Sequence, residues 1–133
     1  MCSVLIVDDH PDTLETIAEL VSDEGHGHNE ASNGQEALSW LGSQADLPCI
    51  ILLDLRMPVM DGWDFLRAMR TFPRLAEIPV IVISVTITAG APPVLPAKAF
   101  WSKPPDAQQI ATIHQFCDRH RDSWRPKPPN VAS

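Results

Sequence analysis

The sequence lacks a hydrophobic run long enough to cross a membrane. A membrane-spanning helix needs roughly 20 consecutive apolar residues, whereas the longest apolar candidate here, residues 50–55, is interrupted by Asp54. The opening MCSVLIVDD has no basic residue and ends in two aspartates, unlike a secretory signal peptide. We therefore predict a cytoplasmic protein with no membrane span.

Basic residues and cysteines are also scarce. The 133-residue chain has 10 Lys and Arg against 17 Asp and Glu, a net charge of −7. Because nucleic-acid binding depends on clustered cations that displace counterions, this charge argues against nucleic acid as a partner. The three cysteines, Cys2, Cys49 and Cys117, are far apart and lack metal-ligand spacing. We interpret them as apolar residues in a reducing compartment.

The composition and length are those of one globular domain. Hydrophobic residues make up 44% of the chain and charged residues 20%, so the chain has enough apolar surface to form a core. Neither G-x-G-x-x-G nor a Walker-type run occurs, which argues against a nucleotide or flavin carrier. We predict a domain over residues 1–124 and a disordered, proline-rich tail over residues 125–133.

Strand and helix patterns alternate along the chain. Continuous apolar runs, typical of strands covered on both faces, occupy residues 4–7, 49–53, 79–83 and 97–102. Helical patterns occupy residues 12–22, 33–41, 62–72 and 106–120, with Asn33 and Asp106 as candidate N-caps. This alternation predicts an α/β domain, a doubly wound parallel sheet of about five βα units.

Two segments fit this pattern poorly. Residues 26–31 should form a strand but are almost entirely polar, so we predict a weak edge strand there, with His26 and His28 as surface residues. Residues 88–96 stand where a fourth long helix belongs, yet they contain one glycine and three prolines. Proline removes a backbone donor and clashes with the preceding turn. We therefore predict a shortened, proline-rich fourth-helix region.

Polar residues follow four of the predicted strands at the point where each strand ends. They are the pair Asp8 and Asp9, then Asp54, Ser84 and Lys103. In open parallel sheets, ligands bind at this carboxyl edge. Three carboxylates about 4 Å apart would repel one another by several kcal/mol in each pair. The pattern therefore predicts a bound cation, and oxygen ligands favour a hard one such as Mg²⁺.

The motifs that contain these residues resemble the receiver domain of bacterial two-component response regulators. They are VLIVDDHPD, ILLDLRMPVMDGWDFLRAMR, IPVIVIS and FWSKP, within a match over residues 3–122. The resemblance implies a flavodoxin-like, five-stranded sheet with strand order 2-1-3-4-5. It also implies a stand-alone response regulator in phosphorelay signal transduction. Its partners would be a histidine kinase or phosphotransfer protein and a downstream protein target that the sequence does not identify.

The resemblance further implies a role for each site residue. Asp54 would be the nucleophile that accepts the phosphoryl group. Asp9, Asp54 and the backbone carbonyl of Arg56 would bind Mg²⁺ directly, and Asp8 would reach it through water. Lys103 would pair with a phosphoryl oxygen.

Ser84 and Phe100 would form the switch. The Ser84 hydroxyl would donate to the phosphoryl group, and the ring of Phe100 would turn inward into the space that is vacated. The spacing from Ser84 to Lys103 is shorter than usual for the family, so signal readout could be unconventional. Arg56 and Thr86 flank the path of the attacking water and should alter the phosphoryl lifetime. His10 follows the acidic pair and could contact the pocket, but we favour an exposed loop residue.

Two other functions remain open on the sequence. A small Mg²⁺-dependent aspartyl phosphatase would use related chemistry, but its nucleophile normally lies in an Asp-x-Asp motif after the first strand. A receiver-like scaffold could bind partners without being phosphorylated. We favour the phosphoacceptor, which is not an enzyme beyond its own phosphorylation and dephosphorylation.

Overall fold

The computed structural model describes residues 3–55, 57–84, 97–102, 105–113 and 115. Strands and helices alternate, as the sequence predicts. The strands are β1 (Ser3–Val7), β2 (Gly27–Ala31), β3 (Ile50–Leu53), β4 (Val80–Ser84) and β5 (Ala99–Ser102). The helices are α1 (Pro11–Asp23), α2 (Gly34–Ser43), α3 (Gly62–Arg70), α4 (Pro73–Ala76) and α5 (Ala107–Ala111).

The five strands form one parallel sheet in the order β2-β1-β3-β4-β5. This result confirms the predicted doubly wound α/β fold and its strand order. The three apolar runs of β1, β3 and β4 occupy the centre of the sheet. Every residue from Val4 to Val7 and from Ile50 to Leu53 is at most 1% exposed, because helices cover both faces.

Successive residues of each central strand contribute to two separate cores. Leu5 and Val7 belong to a cluster completed by α2, α3 and α4, with Phe65 among its largest buried side chains. Val4 and Ile6 belong to a cluster completed by α1 and α5. This alternation follows from the two-residue period of a strand. The two helical layers therefore lie on opposite faces of the sheet.

The weak strand predicted for residues 26–31 is β2, which forms an edge of the sheet. It pairs with β1 from Ser3–Gly27 to Val7–Ala31, and Ala31 is its one fully buried residue. Its position at the edge explains how so polar a segment can be a strand. Within the described segments, no helix is both long and apolar enough to span a bilayer.

Both predicted N-caps are present. The Asn33 side chain accepts a hydrogen bond from the backbone N–H of Glu36, 2.8 Å away. Asp106 and Gln109 form a reciprocal capping box at the start of α5. The short helix α4 was not predicted, because four residues are too few to show a helical period. The proline-rich residues 88–96 and the tail at 125–133 lie outside the described residues.

Candidate functional site

Sheet register places Asp8 beside Asp54. Val7 pairs with Leu53 across β1 and β3, and each of these two residues is followed directly by an aspartate. The backbone N–H of Asp54 donates to the carbonyl of Val7 at 2.9 Å, and that of Asp8 donates to Ala31 at 3.0 Å. These bonds extend the sheet by one residue, so both carboxylates lie at its carboxyl edge.

The two carboxylates are almost completely buried, an unusual environment for charged groups. Asp8 is 2% exposed and Asp54 is 3% exposed. With Asp9 and His10 they form a group in which one ligand atom from each residue lies within 4.8 Å of the others. In octahedral coordination at about 2.1 Å from an ion, ligand atoms are roughly 3–4 Å apart. The group is therefore compact enough to share one divalent ion.

A second observation fits a cation at this position. The Oδ1 atom of Asp9 is buried, and no described residue forms a hydrogen bond with it. The Nδ1 atom of His10 is only 3.1 Å away, but this contact lacks the geometry of a hydrogen bond. A buried carboxylate oxygen without a hydrogen bond is unfavourable. The donor set of three carboxylates and one imidazole thus suits a divalent metal ion.

The sequence favoured an exposed loop position for His10 over a contact with the pocket, and the structure shows both features. Its side chain is 65% exposed, but Nδ1 lies 3.3 Å from Oδ1 of Asp8 and 3.1 Å from Oδ1 of Asp9. The backbone N–H of His10 also donates to Oδ1 of Asp8 at 2.9 Å. Its position directly after the acidic pair is the signal in the sequence for a place at the site.

The segment after Asp54 passes very close to the start of α3. At Gly62, an added Cβ would lie 2.6 Å from the backbone oxygen of Asp54 and 2.8 Å from Cα of Leu55. The backbone N–H of Gly62 donates to the carbonyl of Leu55 at 2.9 Å. Any side chain at residue 62 would therefore push α3 away from the main chain of Asp54.

The same loop contains a strained turn. The backbone N–H of Met60 donates to the carbonyl of Pro58 at 2.7 Å, and Val59 between them has a φ of 69°. These features define a γ-turn of the rare positive-φ type, which is unfavourable for a β-branched residue. The carbonyl of Met60 accepts a hydrogen bond from Gly34 at the start of α2, at 2.9 Å. The loop is thus attached to both neighbouring helices.

The remaining predicted site residues are placed only in part. Ser84 is the last residue of β4, in register with Ser102 of β5; the described features of Ser84 are those of its backbone. Phe100 is half-buried in β5 and packs against the larger core cluster. Arg56 and Lys103 lie outside the described residues.

A groove of about 650 Å³ between α1 and β2 is also lined by acidic side chains. Its lining includes Glu15, Glu19, Asp23 and the His28–Glu30 pair, whose Nε2 and Oε2 atoms are 3.5 Å apart. Among the described residues, these groove side chains do not form a cluster of three metal-ligand atoms as compact as that of Asp8, Asp9, His10 and Asp54. The His28 side chain is half-buried, 30% exposed, beside Glu30.

Comparison with known proteins agrees with this geometry. The family model described as response regulator receiver domain matches residues 4–114. An uncharacterized 14.6 kDa protein of Leptolyngbya boryana is 36% identical over 81 residues, which cover 61% of this chain and 60% of that protein. Response regulator Rre1 of Synechocystis is 31% identical over 115 residues, which cover 84% of this chain and 49% of that protein. The chain thus spans less than two thirds of either relative.

Solved structures share the fold. The chemotaxis response regulator CheY4 of Vibrio cholerae superposes with a TM-score of 0.76 at 23% identity, over 88% of this chain and 98% of that one. The phosphorylated cyanobacterial phytochrome response regulator RcpA gives 0.74 at 24% identity, over 90% and 96%. The Mn²⁺-bound response regulator Rcp1 gives 0.72 at 23% identity, over 87% and 94%. The chain belongs to the response regulator receiver domain family.

Proposed function

We propose that this chain receives a phosphoryl group on Asp54 from a phosphohistidine of a histidine kinase or phosphotransfer protein. It would work in the cytoplasm and pass the signal on through changed protein–protein contacts. The observation that carries the proposal is the buried carboxylate of Asp54 beside two further carboxylates at the carboxyl edge of the sheet. With a divalent cation bound to offset its charge, such an acidic group could receive one small phosphoryl group from a docked protein.

In the proposed reaction, a carboxylate oxygen of Asp54 forms a bond to phosphorus. The bond between phosphorus and the donor histidine nitrogen breaks, and that nitrogen leaves with a proton from solvent. The product is an acyl phosphate on Asp54. Hydrolysis of the acyl phosphate by water returns the carboxylate, so the chain would undergo a phosphorylation cycle and would not turn over a free substrate as an enzyme does.

The metal ligands in this proposal are Asp9, Asp54 and the backbone carbonyl of Arg56, with Asp8 contributing through water. A bound Mg²⁺ would offset the negative charge of the nucleophile and of the phosphoryl oxygens. Among the solved structures that share the fold, Rcp1 is a Mn²⁺-bound form and RcpA is phosphorylated. Both relatives support the proposal that this chain holds a divalent ion and a phosphoryl group.

Lys103 would pair with a phosphoryl oxygen, and Ser84 and Phe100 would form the switch. Register supports this arrangement, because Val82 of β4 pairs with Phe100 and Ser84 pairs with Ser102, the residue before Lys103. Leu53, which precedes Asp54, lies in the row of Val82 and Phe100. Ser84 and Ser102 therefore lie at the same edge of the sheet as the acidic cluster.

Acetyl phosphate and Mg²⁺ provide the direct test of phosphorylation. Wild type should gain the mass of one phosphoryl group, and Asp54→Asn should gain none. Exposed Asp46→Asn is the matched control and should be labelled like wild type. An Asp54→Asn protein that is labelled as fast as wild type would contradict the proposed acceptor. Repeated turnover of a generic phosphate ester would instead indicate a phosphatase.

Beryllofluoride, a phosphoryl mimic, tests the proposed switch separately. Backbone amide shifts recorded with and without it should change at Phe100 and its neighbours in β5 as well as around Asp54. Changes confined to the surroundings of Asp54 would leave the phosphoacceptor role intact and remove the switching role of Ser84 and Phe100.

A further inference from the structure

The proposed phosphoryl transfer assigns no role to His10, although His10 lies at the site. Its ring is held over the acidic pair by a short local turn, because its own backbone N–H donates to Oδ1 of Asp8 at 2.9 Å. This bond brings Nδ1 to 3.3 Å from Asp8 and 3.1 Å from Asp9. The ring remains 65% exposed, so little apolar packing determines its orientation.

We infer that His10 is a metal ligand through Nδ1, and that it makes the site selective for transition-metal ions over Mg²⁺. The inference rests on the metal site of the proposed function. Nδ1 and one oxygen each from Asp8, Asp9 and Asp54 all lie within 4.8 Å of one another. These separations suit ligands arranged around one ion.

Hydrogen bonds within the group leave one buried atom unsatisfied. Nδ1 of His10 forms a hydrogen bond with Oδ1 of Asp8 at 3.3 Å, whereas Oδ1 of Asp9, 3.1 Å from Nδ1, forms no hydrogen bond with any residue that the structure describes. A divalent ion bound by both Nδ1 and Asp9 would satisfy this oxygen, and Nδ1 would then direct its lone pair at the ion in place of the contact with Asp8.

The ligand preference of each ion then determines which ion His10 would bind more tightly. Imidazole nitrogen suits Ni²⁺, Cu²⁺ and Zn²⁺, whereas Mg²⁺ strongly prefers oxygen and retains several waters. With Mg²⁺, a water would take the position of the nitrogen at little cost. With Ni²⁺, the nitrogen would remain bound. His10 would therefore raise the affinity for Ni²⁺ and leave that for Mg²⁺ almost unchanged.

The test compares Ni²⁺ and Mg²⁺ affinities by calorimetry in wild type, His10→Ala and His28→Ala. The His28 variant removes a histidine from the β2 edge, outside the acidic cluster, and is the matched control. We expect His10→Ala to weaken Ni²⁺ binding about tenfold and Mg²⁺ binding by less than about twofold. His28→Ala should leave both affinities unchanged.

Pulsed electron paramagnetic resonance of the Cu²⁺-loaded protein gives an independent readout. Wild type and His28→Ala should show hyperfine coupling to a directly bound ¹⁴N, and His10→Ala should lose it. Equal weakening of both ions by His10→Ala, or no ¹⁴N coupling in wild type, would overturn the inference while the Mg²⁺ site stands. Failure of wild type to bind either ion would instead contradict the metal site of the proposed function.

Discussion

Replacing Asp54 by asparagine keeps the shape of the side chain and removes its charge. Oxygens of Asp8, Asp9 and Asp54 lie within 4.8 Å of one another, and two unit charges at that distance repel by about 3 kcal/mol at an effective dielectric of 20. The Asp9 side chain is 27% exposed and has His10 beside it, which reduces the repulsion. We therefore expect Asp54→Asn to raise the free energy of unfolding by about 1–2 kcal/mol when divalent ions are absent.

Mg²⁺ should raise the free energy of unfolding of wild type more than that of Asp54→Asn. An ion that binds only the folded protein adds about 2.7 kcal/mol of stability at a hundredfold excess over its Kd. Asp54→Asn loses a charged ligand, so it should bind the ion more weakly and gain less. Urea unfolding, followed by circular dichroism in EDTA and in saturating Mg²⁺, measures both differences.

The control for this experiment is Asp46→Asn, in the exposed loop between α2 and β3. A surface change of this kind should alter the free energy of unfolding by less than about 0.5 kcal/mol in either buffer. If Asp54→Asn is less stable than wild type in EDTA, the carboxylate stabilises the ion-free fold. Charge repulsion would then not be the reason that the site needs a cation.

Three further substitutions test the loop and the caps by urea unfolding. Gly62→Ala would place Cβ 2.6 Å from a backbone oxygen and should lower the free energy of unfolding by about 2 kcal/mol. The control, Gly42→Ala, has nothing within 4 Å of the added Cβ and should raise the free energy of unfolding by about 0.5 kcal/mol, because alanine favours the helix α2. Equal effects of the two substitutions would contradict the clash at residue 62. Val59→Gly should add about 1 kcal/mol by relieving a φ of 69° at an 82% exposed residue, and a loss of stability would show that the turn is not strained. Asp106→Ala should cost about 1 kcal/mol through the lost capping box, and no change would mean that α5 does not depend on its cap.

The sheet and its acidic edge could be predicted from the sequence because both depend on simple periodicity. Continuous apolar runs identify strands that are covered on both faces, and in a parallel sheet all such strands end at the same edge. The positions of Asp8 and Asp54 follow directly, since each is the first residue after a central strand. Even the polar strand β2 was predictable as an edge strand, because only an edge tolerates so few apolar residues.

The features that the sequence did not predict depend on the direction of side chains in loops. Hydrophobic periodicity contains no information on where His10 points, although the residue lies next to the acidic pair. The positive φ of Val59 could not be predicted either, because β-branched residues rarely adopt that conformation. The hydrogen bond between Met60 and Gly34 joins residues distant in the sequence, and only the folded chain brings them together.

These loop features explain how the fold tolerates a cluster of buried carboxylates. The main chain beyond Asp54 is attached to α2 through Gly34 and Met60 and to α3 through Gly62 and Leu55. These attachments keep the acidic side chains close together although their charges repel, and they keep Val59 in its strained turn. In the proposed function, the ion site would therefore be preorganised at the expense of ion-free stability. Variants that relax the loop should accordingly bind a divalent ion less tightly even where, as expected for Val59→Gly, the ion-free protein becomes more stable.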